Sequence, residues 1–475
     1  MSHLQQEQLM LVRADDAKDW FYKGEGAANI VLGYCGSALF LVGKVLRIQK
    51  VAKGGSPSPN GCLYLSDHER LIWKDIGELA EPTSKDVAAT AFIDHVMRNL
   101  LGSKHIDAGI LVHVSKKFLE AVEGNIKSQR PPWRVDASKI DVLCESAFLI
   151  SDHSIIIVLN SILHDALSTI SGTPKHDFCI AVEIKPKCGF LPSSEYIAEK
   201  NAVKRHVTRF KMHQFLKFHQ GEISQISGYD PLDLFSGLKD RIHLAITALF
   251  ASPQNNFRIF LNGSLIFGGL GGSMDNTDVR SHKSGEAIAD LISACGLQLG
   301  SFLELVSEAI FGSGILDRLL ATQQLDVLDI EGAIHVYYNI ISQPCVVCKN
   351  LSDAELLHRY SLLHSLSLED SLKIVREYLI AATAKDCSLM ISFSRTADGR
   401  NASDCNSVVL KSLNQSYNYK AYFIDLDLKP LEKMAYYYKL DQKIVNFYKM
   451  NDKMEGKPSI SGSGGPPGEA LDASS

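Results

Sequence analysis

At 475 residues the chain is long enough to bury a large core and to divide into two or more lobes. With 45% hydrophobic and 22% charged residues and a formal net charge of −5, it lacks the basic excess that nucleic acid asks of a partner. Any anion site must therefore be assembled from Lys and Arg of distant segments.

In chain order, residues 1–150 predict mixed α and β structure. Met1 to Trp20 is acidic without a sustained apolar core and does not read as a secretory signal. Gly24-Glu-Gly26 precedes apolar runs at Ile30–Tyr34 and Leu39–Ile48 that predict strands. Lys50–Gly61 is a Gly/Ser/Pro loop. Helices are expected around His68–Leu79 and Lys85–Leu101, a strand at Ala108–Val114 and a helix near Lys116–Val122. From Ser151 to residue 455 the chain is more helical, with an apolar stretch at Ile155–Ile170 whose state the pattern leaves open. Helices are expected at Glu195–Lys217, Leu238–Phe250, Ser284–Ala294, Phe302–Ile310 and Leu368–Lys385. Ser367 and Asp370 form a capping-box-like start for the last of these. Residues 456–475 are rich in Gly, Ser and Pro and predict disorder. The longest apolar run, near Ile155–Ile162, is too short for a bilayer, so no membrane is expected. Ten cysteines, scattered apart from one Cys-x-x-Cys pair, predict a reducing intracellular compartment, cytoplasmic or nuclear.

Ala181-Val-Glu-Ile-Lys-Pro-Lys-Cys-Gly-Phe190 carries the strongest local signal. In a strand, Glu183, Lys185 and Lys187 would project from one face. Three charges on one face point to a polar, anion-binding cleft, because burying them unpaired is expensive. A solvated edge strand is the plainer alternative, and Pro186 fits an edge or the end of pairing.

Gly24-Glu-Gly-Ala-Ala-Asn29, followed by a strand bearing Lys44 and Arg47, suits a turn whose backbone N–H groups approach phosphates. Hairpins with Gly-x-Gly and no ligand are common, and no Walker A sequence occurs. Gly268-Gly-Leu-Gly-Gly-Ser273 reads as a flexible loop. Asp386 follows a helix and precedes the strand-like Ser388–Phe393, and Asp425 ends the strand-like Ala421–Ile424. As a hairpin, these strands would bring both carboxylates to one end of a sheet. Phosphoryl transfer asks for such a pair, one for the acceptor hydroxyl and one for Mg²⁺. Cys345-Val-Val-Cys348 has Zn²⁺-ligand spacing, with His335 before it and His358 and His364 after it. No acid or base stands beside this set, which makes any metal structural.

Taken in order, these segments resemble the inositol-pentakisphosphate 2-kinase family, in its plant form, from about Trp20 to Met450. The likeness runs through Gly24-Glu-Gly-Ala-Ala-Asn, Val42-Gly-Lys-Val-Leu-Arg-Ile-Gln-Lys50, Trp133-Arg-Val, Glu183-Ile-Lys-Pro-Lys, Arg209-Phe-Lys-Met-His-Gln, Tyr229-Asp-Pro-Leu-Asp-Leu-Phe, Pro253-Gln-Asn-Asn-Phe-Arg, Ala384-Lys-Asp-Cys-Ser and Ile424-Asp-Leu-Asp-Leu-Lys-Pro. The resemblance implies an α+β, bilobed inositol polyphosphate kinase fold distantly related to protein kinases. Residues 1–150 would be the N-terminal lobe, and 151–455 the larger lobe with a structural zinc site. It implies transfer of the ATP γ-phosphate to the 2-hydroxyl of inositol 1,3,4,5,6-pentakisphosphate, giving the hexakisphosphate, phytate. By that likeness Gly26, Ala27, Ala28, Asn29 and Arg47 hold nucleotide phosphates, and Ser151, Asp152 and His153 form the hinge. Glu183, Lys185 and Arg258 complete the ATP site. Arg134, Lys187, Lys217, Asn255, Lys429, Lys433 and Tyr437 grip substrate phosphates. Asp386 serves the acceptor hydroxyl, Asp425 the Mg²⁺, and His335, Cys345, Cys348 and His364 the zinc. Ser151 and Lys433 depart from the family's pattern, where plant members often carry Asn and Arg. A monomer is expected. A kinase of other positional specificity, or an inositol phosphate sensor without catalysis, remain the alternatives, and the presence of both aspartates weighs against the sensor.

Overall fold

The strands fall into two sheets in the computed structural model, which describes residues 11–455 apart from 13, 27, 55–64, 83, 157–177, 270–284, 295, 350, 352 and 396–404. The first sheet comprises β1 (Leu11–Val12), β2 (Trp20–Glu25), β3 (Asn29–Tyr34), β4 (Lys44–Ala52), β5 (Ile110–Val114), β6 (Ser138–Ile140) and β7 (Ser146–Ser151). Its order is β1-β5-β7-β4-β3-β2, with β6 also paired to β4. Ile30 and Leu32 of β3 alternate inward, as do Leu46 and Ile48 of β4, and all four are fully buried. Helices α1 (Asp67–Trp73), α2 (Lys85–Ala91), α3 (Arg98–Leu101), α4 (Lys116–Ile126) and α5 (Pro132–Ala137) accompany it. Phe118, Leu119, Val122 and Ile126 form the apolar stripe by which α4 covers this sheet. The run read as Leu39–Ile48 becomes a strand only at Lys44. Before it, Lys44 N donates to Leu41 O at 2.9 Å and Gly43 takes φ 71°, which turns the chain.

The second sheet comprises β8 (Cys179–Ile184), β9 (Phe257–Leu261), β10 (Ser264–Phe267), β11 (Ser388–Arg395), β12 (Asn406–Leu410) and β13 (Gln415–Ile424). Its order is β10-β9-β8-β11-β13-β12, every pair antiparallel. Around it lie α6 (Arg209–His219), α7 (Pro231–Leu234), α8 (Lys239–Ala251), α9 (Gly285–Ala294), α10 (Leu299–Ser313), α11 (Ile315–Gln323), α12 (Asp329–Ile340), α13 (Val346–Lys349), α14 (Ala354–His364), α15 (Leu368–Ala384) and α16 (Met434–Glu455). The helix read over Glu195–Lys217 is broken. A 3-10 segment spans Glu199–Arg205, and α6 starts afresh where Thr208 accepts from Lys211 N at 3.2 Å. The Ser367 cap of α15 forms as expected, accepting from Asp370 N at 3.0 Å.

Contacts besides the chain itself tie the halves together. Ile72, Trp73, Phe92, Met97 and Leu101 of the α1–α3 region are buried in the core of the second sheet, not the first. Ile106 forms a parallel bridge with Phe423, beside which His105 Nδ1 meets Ala421 O at 2.9 Å. Among the described residues no single helix is long and apolar enough to cross a membrane. The expectations at Ala27 and at 456–475 lie outside the described residues, as does most of the Gly268–Ser273 loop.

Candidate active site

β8 is a central strand, buried at all six positions, so the solvated-edge reading does not hold. Its pairing stops at Ile184. Pro186 has no N–H to donate, and Lys185 N turns instead to Asn256 O at 2.9 Å. Lys187 then adopts φ 62°, an uncommon conformation for a side-chain-bearing residue. The three charges therefore do not share a strand face. Glu183 is buried inside the sheet, and the two lysines stand on a sharp turn beyond its end.

Each of these charges has a partner. Arg258 on β9, the register partner of Glu183, grips both carboxylate oxygens through Nη1 at 3.1 and 2.9 Å. Ser388 Oγ donates to the same carboxylate at 3.1 Å. Gly268 makes the approach possible: with φ 89°, an added Cβ would sit 2.2 Å from Phe257 O, and the next carbonyl, Gly269 O, accepts from Arg258 Nε at 2.9 Å. Lys185 Nζ donates to Asp425 at 3.2 Å. Lys187 Nζ stands 3.9 Å from Asp386, and Lys429 Nζ donates to Asp386 at 2.9 Å.

The hairpin expected of β11 and β13 is present. Ser388 pairs with Ile424, so Asp386 and Asp425 leave the sheet at the same end. Their side chains are 58% and 46% exposed, open to a ligand. Burial of the surroundings would raise the Asp386 pKa, but Lys429 and Lys187 outweigh it and hold the carboxyl below its usual range. Asp425, also at positive φ, is held low against burial by Lys185 and Arg47. Burial pulls the Lys187 ammonium down to about 8.

Beside this end of the sheet lies a cleft of about 460 Å³ lined by Lys187, Lys217, Asn255, Asp386, Lys429 and Tyr437. Six residues expected to meet one substrate thus come from six separate segments. Among the described residues, Arg134 and Lys433 do not line it. Arg134 stacks 4.1 Å over Trp133 and donates to Gly26 O at 3.2 Å, and Lys433 is exposed on a 3-10 turn.

On the first sheet, the turn between β2 and β3 is closed by Gly26 N donating to Asn29 O at 2.9 Å. Arg47 of β4 donates to both Asp427 oxygens at 2.7 Å, and the Asn29 amide, oxygen inward, accepts from it at 2.9 and 3.1 Å. At the end of β7, Ser151 N donates to Asp107 at 3.1 Å and Asp152 N to Gly43 O at 2.8 Å. His153 stacks on Tyr422 with ring centres 3.9 Å apart.

A separate group holds His335, Cys345, Cys348 and His364, whose ligand atoms all lie within 4.8 Å of one another. The sulfur–nitrogen distances are 3.3–3.4 Å and the two imidazole nitrogens are 3.3 Å apart. Tetrahedral zinc with Zn–N near 2.0 Å and Zn–S near 2.3 Å gives edges of about 3.3–3.7 Å, so the set fits that ion. His364 Nδ1 meets Asn339 Oδ1 at 2.9 Å, which leaves Nε2 free to ligate, and His358 is outside the group.

Three residues escaped the sequence reading. Asp427 sits two positions beyond Asp425 and had no signal beyond that spacing. Glu25, under the glycine turn, is fully buried between Lys50 at 2.6 Å and Arg130 at 3.0 Å, although it reads as a turn residue. Gln323, fully buried at the end of α11, accepts from Gly189 N at 2.8 Å and donates to Lys187 O at 2.8 Å and Ala384 O at 3.1 Å. It ties the Lys187 turn to the end of the helix that leads into Asp386, and no local pattern marks it.

The model of the family described as inositol-pentakisphosphate 2-kinase matches residues 22–443. A rice protein, inositol-pentakisphosphate 2-kinase IPK1 of Oryza sativa subsp. indica, is 56% identical over 450 residues, covering 94% of this chain and 97% of its own. The inositol-pentakisphosphate 2-kinase of Arabidopsis thaliana is 48% identical over 458 residues, covering 94% and 96%. That of Danio rerio is 28% identical over 504 residues, covering 91% and 93%. The chain belongs to the inositol-pentakisphosphate 2-kinase family.

Proposed function

We infer that the protein is a kinase that transfers the γ-phosphate of ATP to the 2-hydroxyl of inositol 1,3,4,5,6-pentakisphosphate, producing the hexakisphosphate. The observation that carries this reading is the position of Asp386. It is ionised, half open to solvent and set between Lys187 and Lys429 at the wall of a cation-lined cleft. A phosphate monoester carries roughly −1.5 to −2 charges at neutral pH, so a sugar bearing five needs a site of this kind. Lys187, Lys217, Lys429, Asn255 and Tyr437 would hold its phosphates, with Arg134 and Lys433 reaching it from outside the cleft wall. Asp386 would accept a hydrogen bond from the acceptor hydroxyl and orient it for in-line attack, and positioning is most of what phosphoryl transfer asks of a protein.

The nucleotide would lie between the two sheets. The turn at Gly26–Asn29 and Arg47 would take its phosphates, the backbone of Ser151–His153 the base, and Glu183, Lys185 and Arg258 the surface between. Kinases of ATP use a divalent metal, here Mg²⁺, which neutralises charge on the transferring phosphates. Asp425, an exposed carboxylate oxygen donor, fits such a hard cation. The two sheets would be the lobes of a protein-kinase-like arrangement divided near residue 150, and a polyanion held by Arg134 and the cleft lysines together would draw them closed. Zinc at His335, Cys345, Cys348 and His364 would be structural, since all four ligand positions are filled by side chains of the protein and none is left for a reacting water.

Incubation of purified protein with ATP, Mg²⁺ and the pentakisphosphate tests the reading. The expected product is the hexakisphosphate, with phosphorus NMR assigning the new ester to the 2-position. An ester at another carbon, or no turnover, sinks it.

A further inference from the structure

The cleft contains a histidine that the proposed chemistry does not use. Helix α6 turns Arg209, His213 and Lys217 toward it, four residues apart and therefore stacked on one face. Arg209 is anchored to Asp441 at 2.6 Å. Lys217 makes no ion pair among the described residues, and His213, half-buried between the two cations, has no hydrogen-bond partner there. The other charges around the imidazole come from every wall. The turn after β8 supplies Lys187, and α16 supplies Lys443 and Asp441. Lys385 is paired with Asp326 and Lys429 with Asp386. Lys204 is enclosed by Asp329, Glu331 and Asp441. The carboxylates nearest the cleft are thus already committed to other cations, and His213 faces unbalanced positive charge.

We propose that His213 enters the cleft neutral and takes up one proton from solvent as the pentakisphosphate binds, so that capture of the substrate is coupled to protonation of this imidazole. The inference rests on the substrate reading above. In the empty protein, burial first and then Lys217, Arg209, Lys187 and Lys443 depress the His213 pKa to about 3. Incoming phosphate reverses the sign of the field. A unit negative charge about 4 Å away, at an effective dielectric near 20, raises a neighbouring pKa by about three units. Two phosphate charges would then carry the imidazole above neutrality. Once protonated, both ring nitrogens donate, and the site gains a charge-assisted contact that it does not have to carry when empty. The device lets the cleft avoid one unit of self-repulsion between substrates and still match a highly charged one. A sugar lacking the phosphate beside His213 would leave the imidazole neutral and lose that contact.

Calorimetric titration of the full chain with the pentakisphosphate at pH 7, in two buffers of different ionisation enthalpy, counts the protons exchanged. The substrate's own phosphates, with second pKa near 6, shed protons on entering a cationic cleft. The readout is therefore the difference between the unmodified protein and His213→Gln. The unmodified protein should take up about one proton more, and its affinity should fall about tenfold more steeply per pH unit near neutrality. Equal proton counts with binding intact overturn the proposal, whereas absence of binding by the unmodified protein overturns the substrate reading instead. Should His213→Gln fail to fold, NMR of ¹³C-labelled histidine in the unmodified protein decides. One imidazole must pass from the neutral to the protonated shift on saturation at pH 7, and none doing so refutes the coupling.

Discussion

Arg47 of the first sheet grips Asp427, just beyond the last strand of the second, through both carboxylate oxygens at 2.7 Å. The side chains are 17% and 50% exposed, so Arg47 is largely enclosed while the Asp427 carboxylate it holds faces water, which screens the pair and keeps its contribution small. Arg47 can therefore exchange this carboxylate for nucleotide phosphate at small cost. A lysine would keep the charge but lose the planar fork that serves Asn29 and Asp427 together. Arg47→Lys is expected to raise the KM for ATP about tenfold with little change in melting temperature or in the KM for the pentakisphosphate. Steady-state kinetics with each substrate varied checks this. A parallel rise in both KM values would show that Arg47 supports the fold and not the nucleotide.

Lys187 sets a pH limit. Burial lowers its pKa from 10.5 to about 8, so the ammonium is present below pH 8 and lost as pH rises through it. Affinity for the pentakisphosphate should therefore decline above about pH 8 while ATP affinity holds. Lys187→Arg, which stays charged throughout, should move that decline upward whatever it does to the absolute affinity. A decline at the same pH in both proteins would assign it to another group.

How far the sequence reveals this site depends on what places each residue. The β11–β13 pairing was legible because residues 388–393 and 421–424 are rich in apolar residues and a carboxylate stands just outside each run, and the structure pairs Ser388 with Ile424 accordingly. The Glu183–Lys187 segment was legible as chemistry but not as geometry. Period-two reasoning holds only within a strand, and pairing ends at Ile184, before both lysines. The wall formed by Lys217, Asn255 and Tyr437 came from the family likeness, since no local pattern distinguishes these from other polar residues. Gln323 and Glu25 were invisible because their importance lies in burial, which a polar residue type argues against.

Gln323 offers a test of that last kind. Its fully buried amide satisfies Gly189 N, Lys187 O and Ala384 O. Gln323→Leu removes three hydrogen bonds at once: it strips the partner from buried Gly189 N and from the part-buried Lys187 O, and leaves Ala384 O only the Cys387 thiol at 3.4 Å, and a buried group left unpaired costs about 1–3 kcal/mol. The expected result is a melting temperature several degrees lower, and kcat/KM for the pentakisphosphate reduced more than that for ATP. The bias arises because the freed turn carries Lys187. Equal losses for both substrates would point to general loosening.

The cysteine and histidine group should contribute folding free energy directly. Purified protein should contain one zinc per chain by elemental analysis. Cys345→Ser should lower solubility and melting temperature more than it alters the KM for ATP. Well-folded protein without zinc would remove the assignment, because 3.3–3.4 Å contacts among two thiols and two imidazoles would then be simple packing.

Asp386 and Asp425 leave the same end of one hairpin, yet their surroundings assign them different work. Asp386 faces the cleft between Lys187 and Lys429, whereas Asp425 contacts Lys185 and feels Arg47 of the first sheet. With its carboxyl held below the ordinary range by Lys429 and Lys187, Asp386 stays ionised near neutral pH, and in the proposed role it would orient the hydroxyl wherever the cleft lysines are charged. Asp386→Asn keeps the shape and one acceptor oxygen but removes the negative charge. It should lower kcat by about a hundredfold or more, in line with general acid–base contributions, while pentakisphosphate binding survives. Asp425→Asn should weaken metal–nucleotide binding as well as rate, so that raised Mg²⁺ restores part of its activity and none of that of Asp386→Asn. Full kcat in Asp386→Asn would require another carboxylate to serve the hydroxyl. Identical Mg²⁺ responses of the two variants would mean that the division of labour between them is wrong.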